Sequence, residues 1–218
     1  KRFIDIILSV LAITVLSPLL IPVIIILLLT GEHYVFYGQT RVGYKNRNFK
    51  IWKFATMLKN SPNLGTGSLT LKNDPRVFPF GRFLRRIKIN ELPQIFNILL
   101  GDMSIVGPRP QMTVDFLKFP DEVQKVIYDA IPGMTGIGSI VFRDEEKWIS
   151  SHDGDKHEYY RDYIAPYKGA LELWYLGHIS PWTDLMLIFL TAWVIVFPES
   201  GLVYKIFRDL PEKPGFLG

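Results

Sequence analysis

The chain has no cysteine among its 218 residues. That excludes disulfides, thiolate chemistry and cysteine-type zinc sites, and it fits a reducing compartment. Histidine is scarce: His33, His152, His157 and His178 form no metal-ligand spacing and read as loop or surface residues. Neither a P-loop nor a GxGxxG occurs, so the common nucleotide-binding folds lack support. There are no internal repeats, and no nucleic-acid-binding signature accompanies the net charge of +4. Charge is missing above all from one stretch, for between Phe3 and Thr30 only Asp5 is ionisable.

That stretch exceeds the roughly 20 apolar residues a membrane span needs. Ser17-Pro18 and Pro22 interrupt it, Lys1 and Arg2 precede it, and Arg41, Lys45, Arg47, Lys50 and Lys53 follow. Basic flanks favour the cytoplasmic side, and here both flanks are basic. A helix that enters, bends at Pro18 and returns to the same face satisfies both. The alternative is an ordinary transmembrane helix kinked at Pro18. Proline lacks an N–H and clashes with the carbonyl four residues back, and the Ser17 hydroxyl is close enough to serve that freed carbonyl. Each arm of a bent helix would run about 12–15 residues, or about 18–22 Å. Neither arm would cross a hydrocarbon core of about 30 Å. No small-residue cleavage site follows, which argues against a signal peptide. Asp5 marks the headgroup level. The chain starts at Lys1 without an initiator methionine, so processing or upstream sequence is expected.

The composition is 48% hydrophobic and the mean hydropathy +0.16, so the remainder should be soluble or interfacial. A pI near 9.2 suits an anionic membrane face or a phosphate-bearing substrate. Residues 31–43 read as a turn leaving the membrane, 49–57 as a strand or hairpin arm, and 61–67 as a loop. Asn73-Asp74-Pro75-Arg76 reads as a turn before a helix over 80–87. Glu91-Leu92-Pro93-Gln94 opens a second helix that Gly101 ends. Gly107-Pro108-Arg109-Pro110 is a rigid loop, 120–130 a short amphipathic helix, and 132–136 a loop leading to a strand through Phe142. Residues 152–160 look charged and solvated, and 171–175 helical. A second apolar run, Leu185 to Phe197, is too short to span. It reads as a helix lying in or on the membrane surface, with a buried core helix as the alternative.

The densest polar cluster lies between Lys53 and Arg143. It includes Arg85, Arg86, Lys88, Asn90, Glu91, Asp102 and Arg109. Arginines on rigid elements suit bidentate phosphate binding. Carboxylates nearby suit Mg²⁺, which shares its other positions with substrate phosphates. The alternative is a set of surface ion pairs, each worth about 0–1 kcal/mol.

The segment from Arg85-Arg86-Ile87-Lys88-Ile89-Asn90-Glu91-Leu92-Pro93-Gln94 through Gly101-Asp102-Met103-Ser104-Ile105-Val106-Gly107-Pro108-Arg109-Pro110 closely resembles the bacterial sugar transferase family, the monotopic phosphoglycosyl transferases. The Lys-Arg start, Ser17-Pro18, Arg41-Val42-Gly43, Phe49–Phe54, Asn73–Arg76 and Pro132–Gly136 follow in family order. The resemblance implies transfer of a sugar 1-phosphate from a UDP-sugar to a polyprenyl phosphate such as undecaprenyl phosphate, with UMP leaving. It implies an Asp-Glu pair, in which the Asp forms a covalent phosphosugar intermediate, and Mg²⁺ as cofactor. By this resemblance Glu91 acts in catalysis and holds Mg²⁺, Arg85 and Lys53 contact the diphosphate, and Pro108, Arg109 and Pro110 hold the nucleotide. Arg143 and Asp184 are further substrate-binding candidates; for Asp184 an N-cap of the last apolar helix is the alternative.

Asn90 stands where the family usually has that Asp. An amide is a poor nucleophile. Three readings stay open: a replacement that traps an inactive state, a natural Asn-Glu member in which Glu91 or the acceptor phosphate attacks, or lost activity. Ala55, where many members have Arg, and the stretch 137–146 also depart from the pattern. The expectation is an α/β, mostly helical monotopic membrane protein with interfacial amphipathic helices. Residues 1–30 would form the re-entrant membrane helix and 31–218 a cytosolic catalytic domain carrying an interfacial helix near 184–197. It would sit at the cytosolic face of the bacterial inner membrane and bind no nucleic acid, with exposed aromatic and apolar surface able to support a homodimer. A catalytically inactive, membrane-bound scaffold is the alternative function.

Overall fold

The computed structural model describes residues 1–61, 64 and 74–217, apart from the side chain at 146. Most of the loop expected over 61–67 and Asn73 of the expected turn therefore lie outside the described residues. The chain is mostly helical and forms two compact units. One comprises Lys1–Arg41 and Asn48–Met103; the other comprises Val42–Arg47 and the chain from Ser104 onward.

The first unit opens with α1, Arg2–Leu29, a helix of 28 residues. It is long and apolar enough to cross a membrane, and its apolar surface is mostly exposed. The chain stays helical through Pro18 and Pro22. Pro18 removes the donor that the Thr14 carbonyl would have used, and the Ser17 hydroxyl donates to that carbonyl at 2.9 Å instead. At the start of α1, Arg2 donates to the carbonyls of Ile98 and of Leu99, the latter at 2.7 Å. Near its end, Val23 and Leu27 are buried with Phe54 and Leu84. Strand β1, Phe36–Val42, pairs with β2, Asn48–Phe54. Where the sequence predicts a turn over 31–43, the chain is already extended from Phe36; alternation is weak there because Gly38, Gln39, Thr40 and Arg41 run together without an apolar residue. Helix α2, Pro79–Arg86, and helix α3, Gln94–Leu100, follow, and Gly101 ends α3 at φ 102°, where its N–H meets the Asn97 carbonyl. Asn97 is buried and ties α3 to β2: its amide donates to the Lys50 carbonyl at 2.8 Å and its oxygen accepts from the Trp52 N–H at 2.9 Å.

In the second unit β3, Ser104–Val106, pairs in parallel with β4, Gly133–Thr135, in the register Ser104 to Gly133 and Val106 to Thr135. The helices are α4 (Thr113–Phe116), α5 (Asp121–Val126), α6 (Ile137–Val141), α7 (Glu145–Ser151), α8 (Lys156–Tyr159), α9 (Ala165–Gly177), α10 (Pro181–Val196) and α11 (Leu202–Ile206). Two readings are corrected here. Residues 132–136 hold a short strand, and Ile137–Val141, where a strand through Phe142 was expected, form a helix. Ile137 and Ile140 are buried one helical turn apart, and the Phe142 N–H bonds to the Gly138 carbonyl at 2.9 Å. So short an apolar run fits either period.

Helix α10 is buried along one face only. Leu187 and Leu190 are fully buried, while Trp182, Leu185, Phe189, Ile195 and Val196 are exposed. Ser180 caps it by accepting from the Thr183 N–H at 3.1 Å. Asp184 is therefore not its N-cap.

Candidate active site

In the first unit the candidate chemistry gathers where β2 ends, α2 ends and a 3-10 turn, Ile89–Glu91, precedes α3. Lys88, at φ 61°, reverses the chain between α2 and that turn. Lys53 Nζ donates to Glu91 Oε1 at 3.2 Å, and both side chains are mostly buried. Arg85 Nε donates to Thr56 Oγ1 at 2.9 Å, which holds the guanidinium three residues beyond Lys53 along the chain. Gly81 of α2 makes this approach feasible, since a Cβ there would meet the Thr56 carbonyl oxygen at 2.3 Å. Asn90 is buried, and its Oδ1 has no hydrogen-bond partner among the described residues. Beside the cluster Arg76 is hydrogen-bonded to Asp74 through Nε at 2.9 Å. That contact holds the Asp74 carboxyl below the usual range, with the Arg85 charge adding to it.

An ammonium, a guanidinium and a carboxylate at such spacing suit a phosphate-bearing ligand. Among the described residues no three His, Cys, Asp or Glu side chains group to hold a metal. The Glu91 carboxylate and the unpartnered Asn90 oxygen are hard oxygen donors. They fit Mg²⁺, which takes one or two protein ligands and completes its shell with phosphates and water.

In the second unit Pro108, Arg109 and Pro110 leave the end of β3 in a loop fixed by its backbone. The Gly107 N–H bonds the Thr135 carbonyl and the Gly133 N–H bonds the Pro108 carbonyl, each at 2.9 Å. The approach needs glycines, because a Cβ on Gly133 would lie 2.1 Å from the Gly107 nitrogen. The Arg109 carbonyl accepts from the Tyr128 hydroxyl at 3.0 Å and from Gln111 Nε2 at 3.2 Å. Arg143, after α6, is half-buried. Asp184 accepts from the Tyr175 hydroxyl at 2.7 Å, and that hydroxyl lies 3.4 Å from the Val106 carbonyl at the end of β3.

The structure thus brings Lys53 and Glu91 into contact, seats Arg85 on Thr56 and sets Asn90 beside Glu91. It keeps Pro108, Arg109 and Pro110 in one loop and ties Asp184 to the strand before it. Sequence reasoning missed Thr56, Asn97 and Tyr128. Asn97 had a signal, a lone amide inside the apolar stretch Ile95–Leu100. Tyr128 had none.

Residues 1–198 match the family described as bacterial sugar transferase. The chain belongs to that family. One relative is a UDP-N-acetylgalactosamine-undecaprenyl-phosphate N-acetylgalactosaminephosphotransferase of Aeromonas hydrophila, 32% identical over 198 residues that cover 90% of this chain and 43% of the relative. Another is an undecaprenyl-phosphate galactose phosphotransferase of Salmonella typhimurium, 32% identical over 210 residues, 90% of this chain and 40% of the relative. A third is the exopolysaccharide production protein ExoY of Sinorhizobium fredii, 33% identical over 171 residues, 72% of this chain and 75% of the relative. The chain spans about two fifths of the length of the first two.

Proposed function

We propose that this sugar transferase moves a sugar 1-phosphate from a UDP-sugar to a polyprenyl phosphate at the membrane and releases UMP. The observation that carries this reading is the family match over 1–198 together with the Lys53–Glu91 contact inside the matched segment. The names of its relatives support the substrate classes, a UDP-sugar and undecaprenyl phosphate.

Direct displacement suits these residues best. An acceptor phosphate oxygen attacks the phosphorus that carries the sugar. The bond from that phosphorus to the bridging oxygen breaks, and UMP departs with the electron pair. Asn90 carries no charge and does not attack; its oxygen is buried beside Glu91. Lys53 and Arg85 stabilise charge on the phosphoryl oxygens. By the family resemblance Arg109 would contact the nucleotide, and Arg143 and Asp184 would contact substrate. Glu91 would hold Mg²⁺, which would supply charge neutralisation at the diphosphate when bound.

The helix α1 anchors this chemistry at the level of the lipid phosphate, at the cytosolic face of the bacterial inner membrane, and returns to the side it entered. Its two ends support a bend. Arg2 reaches Ile98, and Leu27 meets Phe54. Ile98 follows Asn97, which bonds Trp52, two residues before Phe54. A straight helix would separate Arg2 from Leu27 by about 37 Å, and that short path through α3 and β2 leaves it little room. The exposed apolar face of α10 suits a membrane surface.

The test is UMP release by the purified chain with undecaprenyl phosphate and UDP-glucose, UDP-galactose or UDP-N-acetylgalactosamine. Turnover with at least one donor is the expected result. No turnover with any, and none after Asn90→Asp, would replace catalysis with a scaffold role. A phosphosugar trapped on Glu91 would overturn direct displacement. Labelling Lys1 and Lys45 from each side of the membrane tests the bend: labelling from opposite sides makes α1 a full crossing.

A further inference from the structure

We propose that Glu172 is a positioning residue, a buried carboxylic acid whose contact with the Arg109 backbone N–H completes the clamp on the Gly107–Pro110 loop. Its functional side rests on the reading that this loop holds the nucleotide.

Glu172 lies on α9 and is 1% exposed. Neither carboxyl oxygen has a well-formed hydrogen bond among the described residues. Gly138 of α6 makes room for it, since a Cβ there would sit 2.4 Å from Glu172 Oε1. The Arg109 backbone N–H faces the group. The Arg109 carbonyl is already taken by Tyr128 and Gln111. The loop is thus held at the Arg109 carbonyl, and Glu172 presents an acceptor to its N–H.

The surroundings keep the acid neutral. Burial pushes its pKa up to about 8, against the pull of Lys168 and Arg109. Lys168, one turn earlier on α9, is itself buried and donates to Glu145, so it is committed elsewhere. Other charged groups on the elements packed against α9, namely Asp121, Glu122, Lys125, Asp129, Arg161 and Asp162, are all exposed. Helix α6 brings none. A neutral acid accepts from an N–H as an amide does, whereas an ionised one would be a buried charge with no partner of its own.

The test uses the full chain in detergent micelles, with Glu172→Gln and Glu172→Leu. Hydrogen exchange over 105–112 reads the clamp without any ligand. Glu172→Gln should match the parent within about twofold, and Glu172→Leu should speed exchange at the Arg109 amide about tenfold or more, the cost of one buried group left unsatisfied. The acid's raised pKa means that the folded state holds a proton the unfolded state has lost. Between about pH 4.5 and 8 this one group raises the parent's unfolding constant about tenfold per pH unit. Glu172→Gln should lack that component. Parent-like exchange in Glu172→Leu, or an unchanged pH slope in Glu172→Gln, overturns the proposal. Should Glu172→Leu fail to fold, the pH slope of Glu172→Gln decides. In turnover, Glu172→Leu should raise KM for the UDP-sugar more than it lowers kcat. Lost protection with an unchanged KM would keep the clamp and remove Arg109 from the nucleotide site.

Discussion

The two units hold their functional groups by different means. In the first, side chains hold side chains: Lys53 meets Glu91, and Arg85 meets Thr56. In the second, the loop is held through its main chain: Gly107, Pro108, Gly133 and Thr135 exchange backbone hydrogen bonds, and the Arg109 carbonyl accepts from the Tyr128 hydroxyl. A cluster of the first kind can be retuned one residue at a time with the fold intact. A loop of the second kind is written into the packing, so a change there should cost stability and activity together.

The largest effect should come from the second kind. Gly133→Ala forces a Cβ against the Gly107 nitrogen and should cost more than about 4 kcal/mol, read as loss of a cooperative melt along with all UMP release. A variant that melts like the parent would break the contrast. Next, Glu91→Gln should cut UMP release by about 10³-fold, the scale set by removing one charge-stabilising group. Its melting temperature should barely move; a large drop would make Glu91 structural. Arg76→Ala leaves the buried Asp74 without its partner and should cost about 2 kcal/mol in denaturant unfolding. It should also remove an acid limb. The lowered Asp74 pKa gives stability present above about pH 3.8 and lost as pH falls through the folded value. The smallest is Ser180→Ala, which removes the α10 cap for about 1 kcal/mol and leaves the KM for donor sugar unchanged.

The sequence carried the elements with strong local punctuation. Pro79 starts α2, Gly101 stops α3, and Ser17 was placed to serve the carbonyl freed by Pro18, as the 2.9 Å bond bears out. It failed where runs are short. Strands β1 and β4 and helix α6 are brief, and their apolar residues suit more than one period. The candidate site was legible as a list of residue types and not as a set of contacts. Lys53 and Glu91 are 38 positions apart, and only the fold of β2 against α3 brings them together. Asp184 was legible as a helix-start residue, but its tie to Tyr175 depends on how the chain turns between α9 and α10.

The Ser17 bond to Thr14 has a consequence for where the anchor can rest. Because the proline site satisfies its own freed carbonyl, it demands neither water nor headgroups around it. On the proposed membrane reading, immersion depth would follow the fastened extremities, Arg2 at one and Leu27 at the other. Reconstitution into short-chain and long-chain phosphatidylcholine discs should leave turnover nearly level, where a rigid spanning rod would respond to acyl length.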